Sequence, residues 1–213
     1  MYNFINLIYP NVCGICDKIC REDICKKCEI KLNEILDWKT NIYKNRYYKK
    51  HSYLFKYNGI IREKIIDYKF NDKPYIYKSF AQFILKNKKI HDFFTDYDII
   101  IPVPIHRKRN KLRGYNQSAL IAKEIANNIC TVKFENKCLI KCKNNKMQSS
   151  LNSFEREKNV IGVYKINKKE EIENKRILLF DDIFTTGNTV NECAKLLKNA
   201  NAKIIDVFTL AKD

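Results

Sequence analysis

The residues best suited to chemistry stand together between Ile177 and Thr189, in the run Ile-Leu-Leu-Phe-Asp-Asp-Ile-Phe-Thr-Thr-Gly-Asn-Thr. Two adjacent carboxylates, Asp181 and Asp182, follow four apolar residues and precede Thr185, Thr186, Gly187, Asn188 and Thr189. A loop that leaves a strand and opens a helix offers unpaired backbone N–H groups and the positive end of the helix dipole, which suits a phosphate. The threonines add hydroxyl donors, and Gly187 lets the backbone come close. Two carboxylates would repel that phosphate, so they must face a sugar diol or a metal ion. A ligand with a phosphate at one end and vicinal hydroxyls nearby is a ribose 5-phosphate. The common nucleotide loops are excluded, because neither G-x-G-x-x-G nor G-x-x-x-x-G-K-[ST] occurs.

A second cluster lies near the N-terminus. Cys13-x-x-Cys16 and Cys25-x-x-Cys28 are two CxxC pairs with eight residues between them, and Cys20 falls in that interval. In a reducing compartment such pairs hold zinc rather than forming disulfides. Four thiolates would leave no position open for a substrate, so the metal would be structural. Cys20 is a surplus ligand able to replace one of the four.

These groups need elements to position them. Residues 177–180 read as a buried strand, and Val190, Cys193, Ala194, Leu197 and Ala200 share one helix face. The apolar run 204–210 reads as the next strand, which completes a βαβ unit. Upstream, residues 98–101 form another buried strand that stops at Pro102-Val103-Pro104, since two prolines so close cannot continue a sheet interior. A basic loop from His106 to Arg113 follows, then a helix with Leu120, Ile121, Ile125 and Ile129 on one side. Short strands are expected at 139–140 and 160–164, with a long polar segment between them. A short helix is expected around 30–36, a strand over 51–57, and helices over 60–68 and 75–85. Lys69, at the end of the first of these two helices, is a further phosphate contact on this reading.

The chain has 213 residues, enough for one ordinary domain and a small satellite, and is 45% hydrophobic. No run approaches the ~20 apolar residues of a membrane span. The first ten residues lack the basic region and cleavage site of a secretory signal, so a cytoplasmic protein is expected. The net charge is +17, and residues 39–91 carry 14 Lys and Arg against 3 Asp and Glu, a net +11. Within that stretch Arg46, Tyr47, Tyr48, Lys49 and Lys50 interleave cations with rings. A single-stranded nucleic-acid groove uses such an arrangement, with rings stacking on bases and cations tracking phosphates.

The run from Ile177 to Thr189 resembles the thirteen-residue signature of type I phosphoribosyltransferases. The resemblance implies a doubly wound, mostly parallel sheet with flanking helices. It also implies binding of phosphoribosyl pyrophosphate (PRPP) with Mg²⁺, Asp181 and Asp182 at the ribose hydroxyls, and Thr185 to Thr189 around the 5-phosphate. By the same resemblance the loop after the first core strand, including Val103, Pro104 and Arg107, takes the pyrophosphate. The polar segment between the short strands is then a closing lid carrying Gln148, Arg156 and Asn159.

Over essentially the whole chain, the order CxxC…CxxC, Pro-Val-Pro, Arg-Gly-Tyr-Asn-Gln, Gln148…Arg156…Asn159-Val-x-Gly and Asp-Asp is similar to the ComF family. That similarity implies a zinc finger fused to a phosphoribosyltransferase-fold domain, acting on single-stranded DNA during uptake and natural transformation, with a DNA-uptake helicase as a partner. Lys141, Lys143 and Lys146 stand where an Arg-rich stretch would be usual, which keeps charge but loses bidentate phosphate geometry. The expected organisation is a knuckle and linking helix at 1–38, a basic, aromatic hood at 39–95 and the core at 96–213. Two alternatives are a metabolic phosphoribosyltransferase acting on a base or amine, and a zinc-ribbon adaptor with a vestigial pocket.

Overall fold

The computed structural model describes residues 11–144 and 162–213. In chain order the elements are α1 (Lys26–Glu34), β1 (Lys39–Ile42), β2 (Lys50–Lys56), α2 (Gly59–Phe70), α3 (Ile76–Lys86) and α4 (Lys88–Phe94). Then come β3 (Ile99–Pro102), α5 (Arg107–Arg113), α6 (Gln117–Asn128), β4 (Lys133–Phe134) and β5 (Leu139–Lys141). The last are β6 (Tyr164–Ile166), β7 (Arg176–Phe184), α7 (Asn188–Asn199) and β8 (Ile204–Lys212).

One sheet has the order β1-β2-β8-β7-β3-β4, with all neighbours parallel except the edge pair β1 and β2. Strands buried on both faces read as continuous apolar runs, and alternate residues serve opposite cores. Ile100, Leu178, Phe180, Phe208 and Leu210 pack under α1, α2, α3, α4 and α6. Ile99, Ile101, Ile177, Leu179, Ile205 and Val207 pack under α7 and the small antiparallel pair of β5 and β6. The crossover from β3 to β4 runs through α6 on the first face, and that from β7 to β8 through α7 on the second. The two crossovers diverge, so β3 and β7 flank a topological switch point, where doubly wound sheets open a crevice at their C-terminal ends.

Several boundaries differ from the sequence expectation. β7 does not stop before the two acids but runs through them to Phe184, because β8 continues to pair with it at Asp181, Ile183 and Phe184. The basic stretch after His106 is a short helix, α5, closed by Gly114 at φ 82°. β6 begins at Tyr164, where a strand over 160–164 was expected. β1 and α4 were not anticipated; Asn87 starts α4 by accepting a bond from Ile90 N–H.

Within the 39–95 segment, β2 is a strand of the main sheet, paired with β8 from His51 to Lys56. The cysteine knuckle packs on α3. Cys13, Ile15, Ile24, Cys28 and Leu32 share one apolar cluster with Phe80 and Phe83 of α3. Gly14 N–H donates to Ser79 Oγ at 2.8 Å, and Ile24 N–H to Gln82 Oε1 at 2.8 Å. A Cβ at Gly14 would lie 2.7 Å from Ile76 Cα, so only glycine permits this approach.

Candidate functional site

The crevice owes its shape to unequal strand lengths. β3 ends at Pro102, opposite Phe180, and its last link to β7 is Val103 N–H donating to Phe180 C=O at 2.9 Å. Beyond that point β7 keeps β8 on one edge and has lost β3 on the other. Asp181 and Asp182 occupy this half-paired stretch. Side chains alternate along a strand, so adjacent acids diverge. Asp182 turns to the α2 side, where Lys69 Nζ meets its Oδ1 at 2.8 Å. Asp181 lies in electrostatic range of Lys141 and Cys193 on the α7 side. Its Oδ1 accepts from Ser118 Oγ and from Asp182 N–H, each at 3.0 Å.

Burial, then the neighbouring charge of Asp182, pushes the Asp181 carboxyl up to about 7, although Lys69, the Asp182 N–H and Ser118 act in the other direction. Burial and the Arg109 charge bring Lys141 down to about 8, and its ammonium sits 5.4 Å from the centre of the Tyr164 ring.

The phosphate-loop candidates follow. Gly187 has φ 75° and is the N-cap of α7. A Cβ there would come 2.5 Å from Phe184 Cζ, so backbone conformation and space both require glycine. The first turn of α7 leaves backbone N–H groups without helical acceptors. Thr186 Oγ1 is buried and unpartnered. Thr185 and Asn188 complete the turn with Thr189 in the first turn of α7, so the five residues named from sequence do form one loop at the helix end.

The candidate pyrophosphate loop is more constrained than expected. The Val103 N–H is spent on Phe180, its carbonyl accepts from Asn116 Nδ2 at 3.0 Å, and Pro104 has no N–H. Val103 therefore offers no free backbone donor. Arg107 is exposed at the start of α5. The Arg113-Gly-Tyr-Asn-Gln run after α5 is largely a fastening: Arg113 donates to Gln117 Oε1 at 2.6 Å, and Tyr115 OH bonds to Tyr68 C=O. Tyr68 OH in turn donates to Gln117 C=O at 3.0 Å, and Asn116 caps α6. Sequence reasoning missed Ser118. Its only signal is its position just after an Asn cap, in the first turn of the helix behind the proline loop. Lys69, a phosphate contact on the sequence reading, is paired with the Asp182 carboxylate. The lid residues Gln148, Arg156 and Asn159 lie outside the described residues.

The segment expected to hold nucleic acid divides in two. Tyr48 is 2% exposed and packs in the second core beside Tyr43, so its ring has no face left for a base. Tyr47 is 40% exposed, with Lys195 and Lys198 ammonium groups 5.8 and 5.9 Å from its ring centre. Arg46 reaches back to the phosphate loop, bonding Thr186 C=O at 3.3 Å and Asn188 Oδ1 at 3.4 Å. Lys49 and Lys50 are exposed, while their backbone N–H groups are tied to Ile205 C=O and Asp206 Oδ1.

In the knuckle, the sulfurs of Cys13, Cys16, Cys25 and Cys28 all lie within 4.8 Å of one another, and those of Cys16 and Cys25 are 3.8 Å apart. Four thiolates bound to one zinc ion at about 2.3 Å stand about 3.8 Å from each other. The donor set therefore fits a tetrahedral metal such as zinc. Cys20 is outside it, its thiol bonded to Glu22 C=O at 2.7 Å, which settles which four cysteines form the set. The Cys28 backbone N–H helps hold Cys25 down to about 7, while burial raises Cys16 and Cys28. A bound cation would supply the stabilisation that burial denies these thiolates. Among the described residues no helix is long and apolar enough to cross a membrane.

A parallel sheet with an acid pair and a threonine loop at its switch point defines a protein of the phosphoribosyltransferase fold, and the family model described as "Phosphoribosyl transferase domain" matches residues 116–213. Competence protein ComFC of Bacillus subtilis is 26% identical over 208 residues, covering 96% of this chain and 79% of that protein. ComFC of Streptococcus pneumoniae is 30% identical over 162 residues, 76% of this chain and 68% of the relative. Competence protein F of Haemophilus influenzae is 32% identical over 116 residues, 54% of this chain and 50% of its own length. The chain thus spans half of the Haemophilus protein and more than two thirds of the other two. It belongs to the ComF family.

Two measurements check the site. Elemental analysis of reduced protein should give one zinc per chain, with less than half of that after Cys16→Ser and Cys25→Ser together; no metal in the wild-type protein would remove the centre. For Asp181, a carboxyl with a folded value near 7 against an ordinary 3.8 binds its proton more tightly when folded. It costs stability as pH rises from about 4 to about 7 and continues to do so above that. Asp181→Asn should therefore raise the melting temperature at pH 8 and leave it nearly unchanged at pH 4. An equal gain at both pH values would contradict this electrostatic assignment.

Proposed function

We propose that this protein binds PRPP, with Mg²⁺, in the crevice at the ends of β3 and β7, and holds single-stranded DNA on the basic face beside it, as a cytoplasmic component of DNA uptake. The observation that carries the first half is the loop at 185–189. It combines a helix N-terminus, a glycine in the left-handed region and a buried unpartnered threonine hydroxyl, all directly beyond two carboxylates on a half-open strand. A 5-phosphate would take the amides and hydroxyls of that loop, and the ribose hydroxyls would lie toward Asp181 and Asp182.

Each acid has a distinct part in this reading. Asp182, paired with Lys69, accepts a ribose O–H while the ammonium keeps the crevice from becoming repulsive to a polyanion. Asp181 is poised near neutrality, so it can accept or donate according to the hydroxyl presented. Mg²⁺ would arrive on the pyrophosphate and offset its charge, as oxygen-rich ligands of this kind require. Zinc in the knuckle would be structural, since all four of its positions are taken by cysteine. Binding alone needs no transfer step.

The DNA half rests on charge and on one ring. Tyr47 is exposed, with the Lys195 and Lys198 ammonium groups over its ring and Lys49 close in the chain, a ring-and-cation cluster of the kind that holds a single strand. The names of the relatives support DNA uptake as the setting.

Calorimetry with PRPP and Mg²⁺ tests the pocket. Wild-type protein should bind, and Asp181→Asn with Asp182→Asn should weaken binding at least about tenfold, the loss of roughly one charge-assisted hydrogen bond. Unchanged affinity in the double variant would sink the assignment. Titration of a labelled single strand against salt tests the cluster. Log affinity should fall by about 0.7 per phosphate neutralised for each decade of salt, and Lys195→Ala with Lys198→Ala should lower that slope. A flat salt response would remove the DNA reading.

A further inference from the structure

We infer that Arg46 and Tyr48 are positioning residues for the 185–189 loop, acting from outside it to hold the shape that receives a phosphate. The inference rests on the reading that this loop takes a ribose 5-phosphate, and it assigns the pocket two residues from a distant part of the chain.

The connection between β1 and β2 lies along α7 and is fastened at several points. Tyr43 N–H bonds Lys49 C=O at 3.0 Å, Lys49 N–H bonds Ile205 C=O at 3.0 Å, and Tyr47 N–H bonds Asn191 Oδ1 at 3.0 Å. From this anchored base the Arg46 guanidinium extends to Thr186 C=O and Asn188 Oδ1, the residues on either side of Gly187. A loop pivoting on one glycine has few restraints of its own. These two bonds span the pivot and limit how its flanks turn. The guanidinium's fixed fork suits two acceptors in this way, whereas an ammonium would offer a single point of charge.

Tyr48 supports the same pivot from the core. Its hydroxyl oxygen lies 3.0 Å from the position a Cβ would occupy at Gly187, and the Phe184 ring fills the remaining space. Phe184 is itself stacked on His51 at 3.9 Å between ring centres, so the loop rests on a rigid aromatic floor. The Tyr48 hydroxyl is buried and has no hydrogen-bond partner, and neither does Thr186 Oγ1 in the adjacent loop. Unpaired buried hydroxyls cost stability, and a phenylalanine would fill the same space without that cost. Two such groups beside one glycine describe a loop held in a shape whose polar groups await an incoming ligand. The anion at the α7 N-terminus would draw on Thr186 directly and, through the loop backbone, on the support beneath it.

The test uses the full chain and two probes, ribose 5-phosphate for this loop and Mg²⁺–pyrophosphate for the rest of the crevice, measured by calorimetry alongside thermal melting. Wild-type protein should bind both. Arg46→Ala should weaken ribose 5-phosphate about tenfold and Tyr48→Phe several-fold, with pyrophosphate affinity unchanged in both. The melting temperature of Tyr48→Phe should stay level or rise, so that its loss of ribose 5-phosphate affinity cannot be put down to unfolding. Unaltered ribose 5-phosphate binding in both variants overturns the inference. So does an equal loss for both probes, which would mean general damage to the crevice. Failure of wild-type protein to bind ribose 5-phosphate while still binding pyrophosphate would remove the phosphate-loop reading and this inference with it.

Discussion

Most of the site depends on one mismatch of backbone pairing. β7 has two neighbours up to Phe180 and one neighbour after it, because a proline ends β3 while β8 continues to pair as far as Phe184 and Lys212. A strand held on both sides would bury its polar residues at a prohibitive cost. A strand free on both sides would not keep them in place. Half-pairing gives Asp181 and Asp182 a fixed backbone and an open flank at once. The β3 loop, having left the sheet, is brought back by Asn116 on the Val103 carbonyl, which also caps α6 and so presents Ser118 to Asp181.

Charge in the crevice is arranged by depth. The protein as a whole is strongly cationic, yet the two acids at the strand end are treated differently by their surroundings. Asp182 has a lysine in contact, whereas Asp181 responds first to burial and next to the charge of Asp182. Lys141, also partly desolvated, holds its proton less tightly than a surface lysine. These shifts arise from three layers meeting at one point: α2 from one side of the sheet, α7 from the other, and the β5–β6 pair beside α7. Surface lysines elsewhere add to the long-range positive field, but they do not set the chemistry at the strand end.

What the amino-acid sequence made legible was whatever is local. Continuous apolar runs marked β3, β7 and β8, the 3.6-residue period marked α7, and the acid–threonine run marked the loop. Paired CxxC motifs marked the four-cysteine cluster. What it hid was tertiary. Tyr48 looks like any tyrosine in a basic stretch, and only the fold shows that it is buried under a glycine far along the chain. β7 outruns its apolar core because β8 is there to pair with it, which no property of Asp181 or Asp182 reveals. α5 has no buried side chain at all, so the apolar periodicity that marks helices had nothing to register. Cys20 could not be separated from its neighbours by spacing, and was separated only by where its sulfur points.

The knuckle's close seat on α3 has a consequence for how the chain can be divided. Small metal-binding modules are commonly tethered by linkers and can be moved between proteins as independent pieces. Here the backbone of Gly14 touches that of Ile76, and the knuckle's own apolar residues complete the core over Phe80 and Phe83. Cutting the chain after residue 38 would uncover that core, and the excised piece would lack the surface against which it folds. The cysteine knuckle and the sheet therefore form one folding unit, and neither can be exchanged as a cassette without the other.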